Sequence, residues 1–225
     1  MRGYINIVLR GTVLKTVLKK KAPVLTRVQL KRLNIGELYW NASYDQIPKH
    51  AAYKMFVGRY LVKLETVIDK GIGLYLWGDN SRGKTYIAAI ICKAAVEKGY
   101  TAYMILADDL KSAVIERLLF DEDTTVMQRA KDVDILVVED FGKEYRGDNS
   151  NFVEVQFENL LRARRRRKKV TIMTSNMNPD DELQKIYGNS TAEILKEILY
   201  PYEIKGKNWR NMEAEKIETV LEPKE

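Results

Sequence analysis

The sequence predicts an α/β domain built on a parallel five-stranded sheet flanked by helices, with a short N-terminal appendage. From about residue 72, short apolar runs that suit buried strands alternate with longer segments of helical periodicity. This alternation is typical of parallel strands joined by crossover helices, which cover both faces of the sheet. At 225 residues, the chain has room for one such domain with a sizeable core and not for two large ones.

The region before the sheet carries weaker signals. Residues 1–35 contain scattered basic residues, including three lysines at 19–21, without alternating strand and helix patterns. We therefore treat this segment as a basic appendage, a candidate for binding DNA or a protein partner. Apolar residues at helical spacing predict a helix over residues 51–68, leading into the core. The main domain is expected to cover residues 36–210, and residues 211–225 to form a C-terminal tail.

Each later element has a local signal in the chain. Short apolar runs predict the strands, Gly99 ends the first crossover helix, and Pro179 starts the last one. The expected strands are residues 74–77, 101–106, 135–138, 170–174 and 202–204. The expected helices are residues 84–98, 108–119, 152–166 and 179–187.

Composition limits the class of protein. Hydrophobic residues make up 45% and charged residues 31% of the chain, as in soluble globular proteins. No apolar run approaches the ~18 residues that span a bilayer, and no signal-peptide cleavage site follows the start, so a cytoplasmic location is expected. A net charge of +7 favours polyanionic partners. The single cysteine, Cys92, is expected to pack in the core, and a metal role for the single histidine, His50, is disfavoured.

The strongest motif lies at residues 78–85, which match the pattern G-x-x-x-x-G-K-[ST] of phosphate-binding P-loops. The loop stands between an apolar strand and an amphipathic helix, the context that the motif requires. Its glycines let backbone N–H groups point at a phosphate, Lys84 is expected to contact the β- and γ-phosphates, and Thr85 to hold Mg²⁺. The sequence therefore predicts an ATP site with Mg²⁺. The residues expected to bind the nucleotide are Gly78, Asp79, Asn80, Ser81, Arg82, Gly83, Lys84, Thr85 and Tyr86.

Two acidic residues, Glu139 and Asp140, directly follow the apolar run 135–138. The strand places them at the carboxyl edge of the sheet, where open α/β sheets bind ligands. ATPases of this kind need one acidic group for the hydrated metal and usually another to polarise the attacking water. The usual order is Asp then Glu. Here it is reversed, so Glu139 is expected on the metal side with Thr85, and the shorter Asp140 on the water side, which would slow hydrolysis.

The order of motifs resembles that of AAA+ ATPases of the DnaC/IstB type, which include bacterial and phage helicase loaders and transposition ATPases. A P-loop is followed by an acidic strand end that runs into Phe-Gly-Lys-Glu at 141–144, and then by Thr-Ser-Asn at 174–176. Taken alone, Ser-Asn after a strand is more often a helix-capping turn. The resemblance covers residues 38–210.

This resemblance implies roles for individual residues. Glu139 and Asp140 match the Walker B acids, and Asn176 matches sensor 1, which would orient the water or contact the γ-phosphate. Residues 204–210 look like a sensor 2 segment, so Arg210 would approach the γ-phosphate. The segment 39–43 looks like the one that helps enclose the base. The residues expected to carry catalysis are Lys84, Glu139, Asp140, Asn176 and Arg210.

One departure from the family pattern concerns the trans-acting arginine, which usually lies in the helix before the last segment. Here that helix, residues 192–199, contains no arginine. An arginine finger contributes ~10³ to 10⁵ in rate where present. We therefore expect weak intrinsic hydrolysis. Lys196, or an arginine of the run at 162–167, remains a possible substitute.

A dense basic run occupies residues 162–169. Such a density attracts nucleic-acid phosphates without base specificity, and the alternative is a solvated basic surface that only aids solubility. Single-stranded DNA is the favoured polyanion if the family resemblance holds. The residues expected to bind nucleic acid are Arg162, Arg164, Arg165, Arg166, Arg167, Lys168 and Lys169.

Three functions remain open from the sequence. The first is an ATP-controlled loader that binds a replicative helicase and single-stranded DNA, with possible homo-oligomers and no membrane partner. The second is an IstB-like transposition regulator that assembles on duplex DNA. The third is a nucleotide-binding adaptor without meaningful catalysis. GTPase activity is disfavoured because no Asn-Lys-x-Asp element follows the later strands, and a kinase lacks an obvious lid for its acceptor substrate.

Overall fold

The computed structural model contains a five-stranded parallel sheet covered by helices on both faces, as the sequence predicts. The structure describes residues 4–9, 12–17, 25–120, 125–142, 150–180, 183–206 and 208. Five strands form the main sheet: β3 (Gly73–Trp77), β4 (Ala102–Leu106), β5 (Ile135–Phe141), β6 (Val170–Ser175) and β7 (Leu199–Glu203). Two more strands, β1 (Tyr4–Leu9) and β2 (Thr12–Val17), form an antiparallel hairpin.

Eight α-helices accompany the strands in the described part of the chain. They are α1 (Arg27–Arg32), α2 (Lys54–Val62), α3 (Leu64–Lys70), α4 (Lys84–Glu97), α5 (Ala107–Phe120), α6 (Thr125–Asp132), α7 (Ser150–Arg166) and α8 (Leu183–Ile198). None of them is long and apolar enough to cross a lipid bilayer.

The strand order positions the predicted motifs at one edge. The sheet runs β4-β5-β6-β3-β7, and every neighbouring pair is parallel. Strand β6 therefore lies between β3, which leads into the P-loop, and β5, which ends in the acidic pair. All strands point the same way, so the ends of β3, β5 and β6 meet at the carboxyl edge.

Two apolar cores lie on the two faces of the sheet. One packs α2, α3 and α4 against alternating strand residues such as Leu74 and Leu76. The other packs α5, α6, α7 and α8 against the opposite face, including Tyr75 and Leu136. This alternation follows from the pleat of a strand, in which successive side chains point to opposite faces. Burial on both faces explains why the strands read as continuous apolar runs.

Residues 25–35, assigned above to the appendage, pack with the main domain. Leu25, Leu30, Leu33 and Ile35 are buried in the first core. The N–H of Met104 donates to the carbonyl of Leu33 at 2.9 Å, so this segment covers the outer edge of strand β4. The packed core of the domain thus begins near Leu25.

Several element predictions needed adjustment. The helix expected over residues 51–68 is two helices, α2 and α3, which meet at Lys63 (φ −96°, ψ 13°). Helix α6 went unpredicted because it is short and mostly polar. The two helices expected over residues 179–187 and 192–199 form one element, α8, whose helical backbone is interrupted at Gly188 by φ of 72°. The fifth strand begins three residues earlier than expected, at Leu199.

Candidate functional site

The loop of residues 78–83 joins strand β3 to helix α4 and requires its two glycines. Gly78 has φ of 131° and Gly83 has φ of 100°, both in the region that favours glycine. A Cβ atom at Gly78 would lie 2.8 Å from the carbonyl oxygen of Ile204. The loop therefore turns tightly into the helix and lies against the chain that follows β7.

Lys84, the first residue of α4, is buried at the centre of the loop with 6% of its surface exposed. Its ammonium donates to the carbonyl oxygens of Gly78 and Asp79 at 2.7 Å each, and to Asn176 Oδ1 at 2.8 Å. An ammonium group has three N–H donors. A phosphate that binds Lys84 must therefore replace or share at least one of these bonds.

Asn176 follows strand β6 and links two parts of the P-loop. Besides accepting from Lys84, its Nδ2 donates to Asn80 Oδ1 at 2.8 Å. The contact exists because β6 is the direct neighbour of β3 in the sheet. The structure thus places the polar end of the fourth predicted strand within hydrogen-bond distance of the phosphate-binding loop.

Glu139 lies near the end of β5 and contacts helix α4. The side chain of Thr85 hydrogen-bonds to its carboxylate, so these two residues, predicted to hold the metal, lie side by side. Burial is the largest cause that raises the pKa of Glu139, to about 7; the bond from Thr85 opposes this rise, and the charge of Asp140 adds to it. This carboxylate therefore lies in surroundings that do not fully compensate its charge.

The backbone changes direction at Glu139 and Asp140. The β5–β6 register shifts between Val138 and Phe141, and Asp140 has φ of 55°, unusual for a residue with a side chain. The N–H of Asp140 donates to Thr174 Oγ1 at 3.1 Å. A bulge of this kind re-aims side chains at the end of a strand, and such bulges are common beside functional sites.

The segment before the P-loop domain docks on helix α4. Tyr86 donates from its hydroxyl to Gln46 Oε1 at 2.8 Å and accepts from the N–H of Ser43 at 3.3 Å. Lys93 donates to the carbonyls of Trp40 and Ala42 at 2.6 and 2.7 Å. Tyr86, predicted to bind the nucleotide, therefore holds this segment beside the P-loop. The contacts of Lys93 and Gln46 are not predicted from the sequence, because neither residue lies in a motif. The signal that the sequence offers is a lysine at position 93 within an otherwise apolar stretch of helix.

Arg82 connects the P-loop to the chain after β7. Its Nη2 donates to Asp79 Oδ2 at 3.0 Å, and its Nη1 donates to the carbonyl oxygen of Gly206. Arg210, together with residues 143–144, lies outside the described residues, so its predicted role at the γ-phosphate stays a prediction. Lys196, the possible substitute for the arginine finger, is exposed and lies 3.7 Å from Glu193.

The predicted nucleic-acid role of Arg164 is wrong, because its side chain is fully buried. Its guanidinium donates to the carbonyls of Ala130, Val133 and Val170 at 2.6 to 3.0 Å and to Thr171 Oγ1 at 3.1 Å. Burial lowers the pKa of Arg164, and the charge of Asp134 opposes that. Arg164 joins α7 to α6 and to the start of β6. The sequence pattern missed this, since a dense basic run hides which member points inward.

Four other members of the basic run form ion pairs with acidic side chains. The pairs are Arg162 with Glu158, Arg165 with Glu197, Arg167 with Asp132, and Lys169 with Asp134. Arg166 and Lys168 are exposed and are in no ion pair among the described residues. The cationic surface that this run offers is therefore smaller than the sequence suggests.

Cys92 is fully buried, as the sequence predicts for a packed core thiol, and burial raises its pKa well above the usual range. The described residues contain no group of three or more His, Cys, Asp and Glu side chains that could hold a metal alone. A metal at Thr85 and Glu139 would need further oxygen ligands from phosphate and water, which is how Mg²⁺ is commonly held.

The chain is similar to known replication proteins. The replicative helicase loader DnaI of Bacillus subtilis (strain 168) is 25% identical over 203 residues, an alignment that covers 81% of this chain and 62% of DnaI. This chain thus matches less than two thirds of the length of that relative. No family model matches the chain.

Solved structures show the same fold. The crystal structure of the DnaC helicase loader matches with a TM-score of 0.63 and 22% identity, covering 76% of this chain and 100% of that one. AMPPCP-bound DnaA from Aquifex aeolicus matches with a TM-score of 0.59 and 20% identity, covering 83% of this chain and 56% of DnaA. The predicted fold, a parallel five-stranded sheet flanked by helices, and the predicted resemblance to DnaC-type proteins are therefore confirmed.

Proposed function

We propose that this chain, a DnaC-like AAA+ protein, binds Mg-ATP at its P-loop and acts as an ATP-controlled loader of a replicative helicase. The observation that carries the proposal is the convergence of three chain segments on one loop. Lys84 contacts Asn176, and Thr85 contacts Glu139, so the ends of β5 and β6 both meet the start of α4. Such an arrangement would let the ends of both strands respond to what occupies the loop.

The phosphate part of the site fits the residues present. Ser81 Oγ is buried and has no hydrogen-bond partner among the described residues, so a phosphate oxygen would supply one. Lys84 brings a positive charge to the same loop. The N-terminus of α4 adds its backbone N–H groups and dipole, which favour an anion.

Magnesium fits the pair formed by Thr85 and Glu139. A hydroxyl and a carboxylate are oxygen ligands of the kind that Mg²⁺ takes, alongside phosphate oxygens and water. When bound, the metal would neutralise charge that develops on the transferring phosphoryl group. It would also offset the cost of keeping the Glu139 carboxylate ionised in its buried surroundings, which raise its pKa to about 7.

We propose that hydrolysis at this site is slow. The water-side acid would be Asp140, whose side chain is one methylene shorter than the usual glutamate. Helix α8 carries no arginine among residues 192–198 that could act on a neighbouring subunit. ATP would then act mainly as a switch, in which nucleotide state sets affinity for partners. Arg210 would add to the γ-phosphate contacts.

The loader role rests on similarity to DnaI, named a replicative helicase loader, and on the shared fold. A replicative helicase is therefore the proposed protein partner, and residues 1–35 are the proposed contact. Single-stranded DNA is the proposed nucleic acid, and DnaA, which shares the fold, has been solved with AMPPCP and single-stranded DNA. In the basic run, Arg166 and Lys168 are the best candidates for phosphate contacts. We also propose a cytoplasmic location and ATP-dependent homo-oligomers.

The test is capture of the host's replicative helicase by the tagged chain, with and without Mg-ATP. We expect capture by the full chain to change with nucleotide. Capture should be lost when residues 1–24 are deleted and residues 25–35 are kept. Truncation at 24 keeps the buried residues of the core, which a cut at 35 would remove. Lys84→Ala should abolish the nucleotide response. Lys98→Ala, an exposed ion-paired lysine at the other end of α4, is the matched control.

Other outcomes separate the alternatives. ATP-dependent filaments on duplex DNA, without helicase capture, would favour the IstB-like transposition regulator. Helicase capture that ignores nucleotide and survives Lys84→Ala would favour the adaptor without catalysis. Absence of helicase binding in every nucleotide state would contradict the loader proposal.

A further inference from the structure

The chain that follows β7 lies directly against the phosphate-binding loop. The N–H of Ile204 donates to the carbonyl of Trp77 at 2.7 Å, and Ile204 itself is 1% exposed. The carbonyl of Ile204 approaches Gly78 so closely that any side chain there would collide with it. The first residue of the loop and residue 204 are therefore in direct contact.

A second connection comes from the other end of the loop. Arg82 donates one guanidinium nitrogen to Asp79 and another to the carbonyl of Gly206. The rigid, planar fork of arginine fixes both acceptors relative to each other. The side chain of Arg82 is 27% exposed and that of Asp79 is 79% exposed, so the ion pair contributes little stability by itself.

We infer that Arg82 is a positioning residue that ties residues 204–206 to the phosphate-binding loop, so that nucleotide in the loop sets the position of this segment. The inference rests on the proposed ATP site. A phosphate that binds Lys84 must replace or share at least one of its hydrogen bonds, two of which go to the carbonyls of Gly78 and Asp79. Gly78 contacts Ile204, and Asp79 contacts Arg82, so the change reaches the segment by two routes.

The consequence concerns what lies further along the chain. Residue 210 is four residues beyond Gly206, and Arg210 is the residue proposed to approach the γ-phosphate. Arg82 would act through this segment and not by touching the reacting atoms. It would therefore affect turnover more than the affinity for ATP.

Hydrogen exchange of the full chain, followed in peptides covering residues 78–86 and 200–210, tests the inference. Without nucleotide, Arg82→Ala should raise the exchange rate at 204–206 by about threefold to tenfold, the size expected for one exposed charge-assisted hydrogen bond. Mg-ATP should slow exchange in both peptides of the wild type. In Arg82→Ala it should slow residues 78–86 as in the wild type but protect residues 204–206 less, because only the contact between Gly78 and Ile204 remains. Arg82→Lys, which keeps the charge but loses the planar fork, should be intermediate.

Arg129→Ala is the matched control. Arg129 likewise donates to a backbone carbonyl, that of Arg32, but beside strand β4 at the opposite edge of the sheet. It should leave exchange at 204–206 unchanged. Steady-state ATPase kinetics give a second readout. Arg82→Ala should lower kcat by several-fold with little change in KM. The double variant with Arg210→Ala should lose less kcat than the product of the two single losses.

The inference is overturned if Arg82→Ala shows wild-type exchange at 204–206 and keeps the same protection by Mg-ATP there. It is also overturned if the Arg82→Ala and Arg210→Ala effects on kcat multiply as independent changes. Absence of ATP protection at 78–86 in the wild type would instead contradict the proposed ATP site, and the nucleotide-free comparison would still decide whether Arg82 holds the segment.

Discussion

The two ends of strand β5 carry carboxylates in opposite conditions. At the amino end, burial raises the pKa of Asp134, but hydrogen bonds from Lys169 and Thr101 outweigh it and hold the pKa below its usual value. At the carboxyl end, burial and the charge of Asp140 raise the pKa of Glu139 to about 7, with the bond from Thr85 opposing them. The protein thus compensates the negative charge of Asp134 at one end of the strand, but not fully that of Glu139 at the other end.

The two edges of the sheet have different proposed roles: the amino edge stabilises the fold, and the carboxyl edge forms the proposed site. The amino edge also holds Arg164, whose guanidinium makes four hydrogen bonds to oxygens of α6, of Val133 and of β6. The carboxyl edge instead holds a bulge, an Asp140 with positive φ, and a buried Ser81 hydroxyl that has no hydrogen-bond partner in the described part of the chain. Backbone strain and incompletely compensated charge are typical of sites that a ligand completes, as proposed for this edge. Substitutions at both edges of the sheet test this difference in role.

The largest effect is expected for Arg164→Ala at the amino edge. The change leaves buried carbonyls of Ala130 and Val170 without their donor and opens a cavity, so the free energy of unfolding should fall by about 3–5 kcal/mol. Urea denaturation measures it. Arg166→Ala, an exposed neighbour, should change stability by less than about 0.5 kcal/mol. Equal effects of the two variants would contradict a structural role for Arg164.

Glu139→Gln should act in the opposite direction at the carboxyl edge. Because the folded pKa of Glu139 is raised from 4.5 to about 7, the folded state keeps a proton that the unfolded chain releases between these values. Stability of the metal-free wild type therefore falls as pH rises through this window. The Gln variant should be more stable than wild type by about 1–3 kcal/mol at pH 8 and show little difference near pH 4, by thermal or urea unfolding.

The same variant should lose Mg-dependent ATP turnover, so one substitution would raise stability while removing function. A stability difference that does not depend on pH would show that Glu139 is not the group that causes it. Asp140→Asn is a useful companion, since it removes the neighbouring charge that helps raise the pKa of Glu139.

The smallest effect is expected for Asp134→Asn. The folded pKa of Asp134 lies below its ordinary 3.8, so its contribution to stability is present above that pH and is lost as pH falls through the folded pKa. At pH 7 the variant should lose about 1 kcal/mol, because Asn keeps one acceptor for Thr101 but loses the ion pair with Lys169. Unfolding at pH 7 and below pH 3.8 checks the sign, and a loss that persists unchanged in acid would contradict it.

The parts of this molecule that sequence predicts are those with strong local patterns. Short apolar runs predicted the parallel sheet. The P-loop was predicted from a motif whose two glycines adopt the positive φ that its turn requires. The inward Arg164 could not be predicted, because seven cations in one run share the same local signal. The link from Arg82 to Gly206 depends on the order of strands, which places β7 beside β3, and no local pattern encodes that neighbour relation.

Calorimetric titration of ATP into the wild type and Lys84→Ala, with and without Mg²⁺, tests whether the P-loop is an Mg-ATP site. We expect saturable, Mg-dependent binding to the wild type and at least roughly tenfold weaker binding to Lys84→Ala, since Lys84 is a buried positive charge beside the loop. Lys98→Ala should bind like the wild type. Absence of binding by the wild type, or equal binding by Lys84→Ala, would contradict the account.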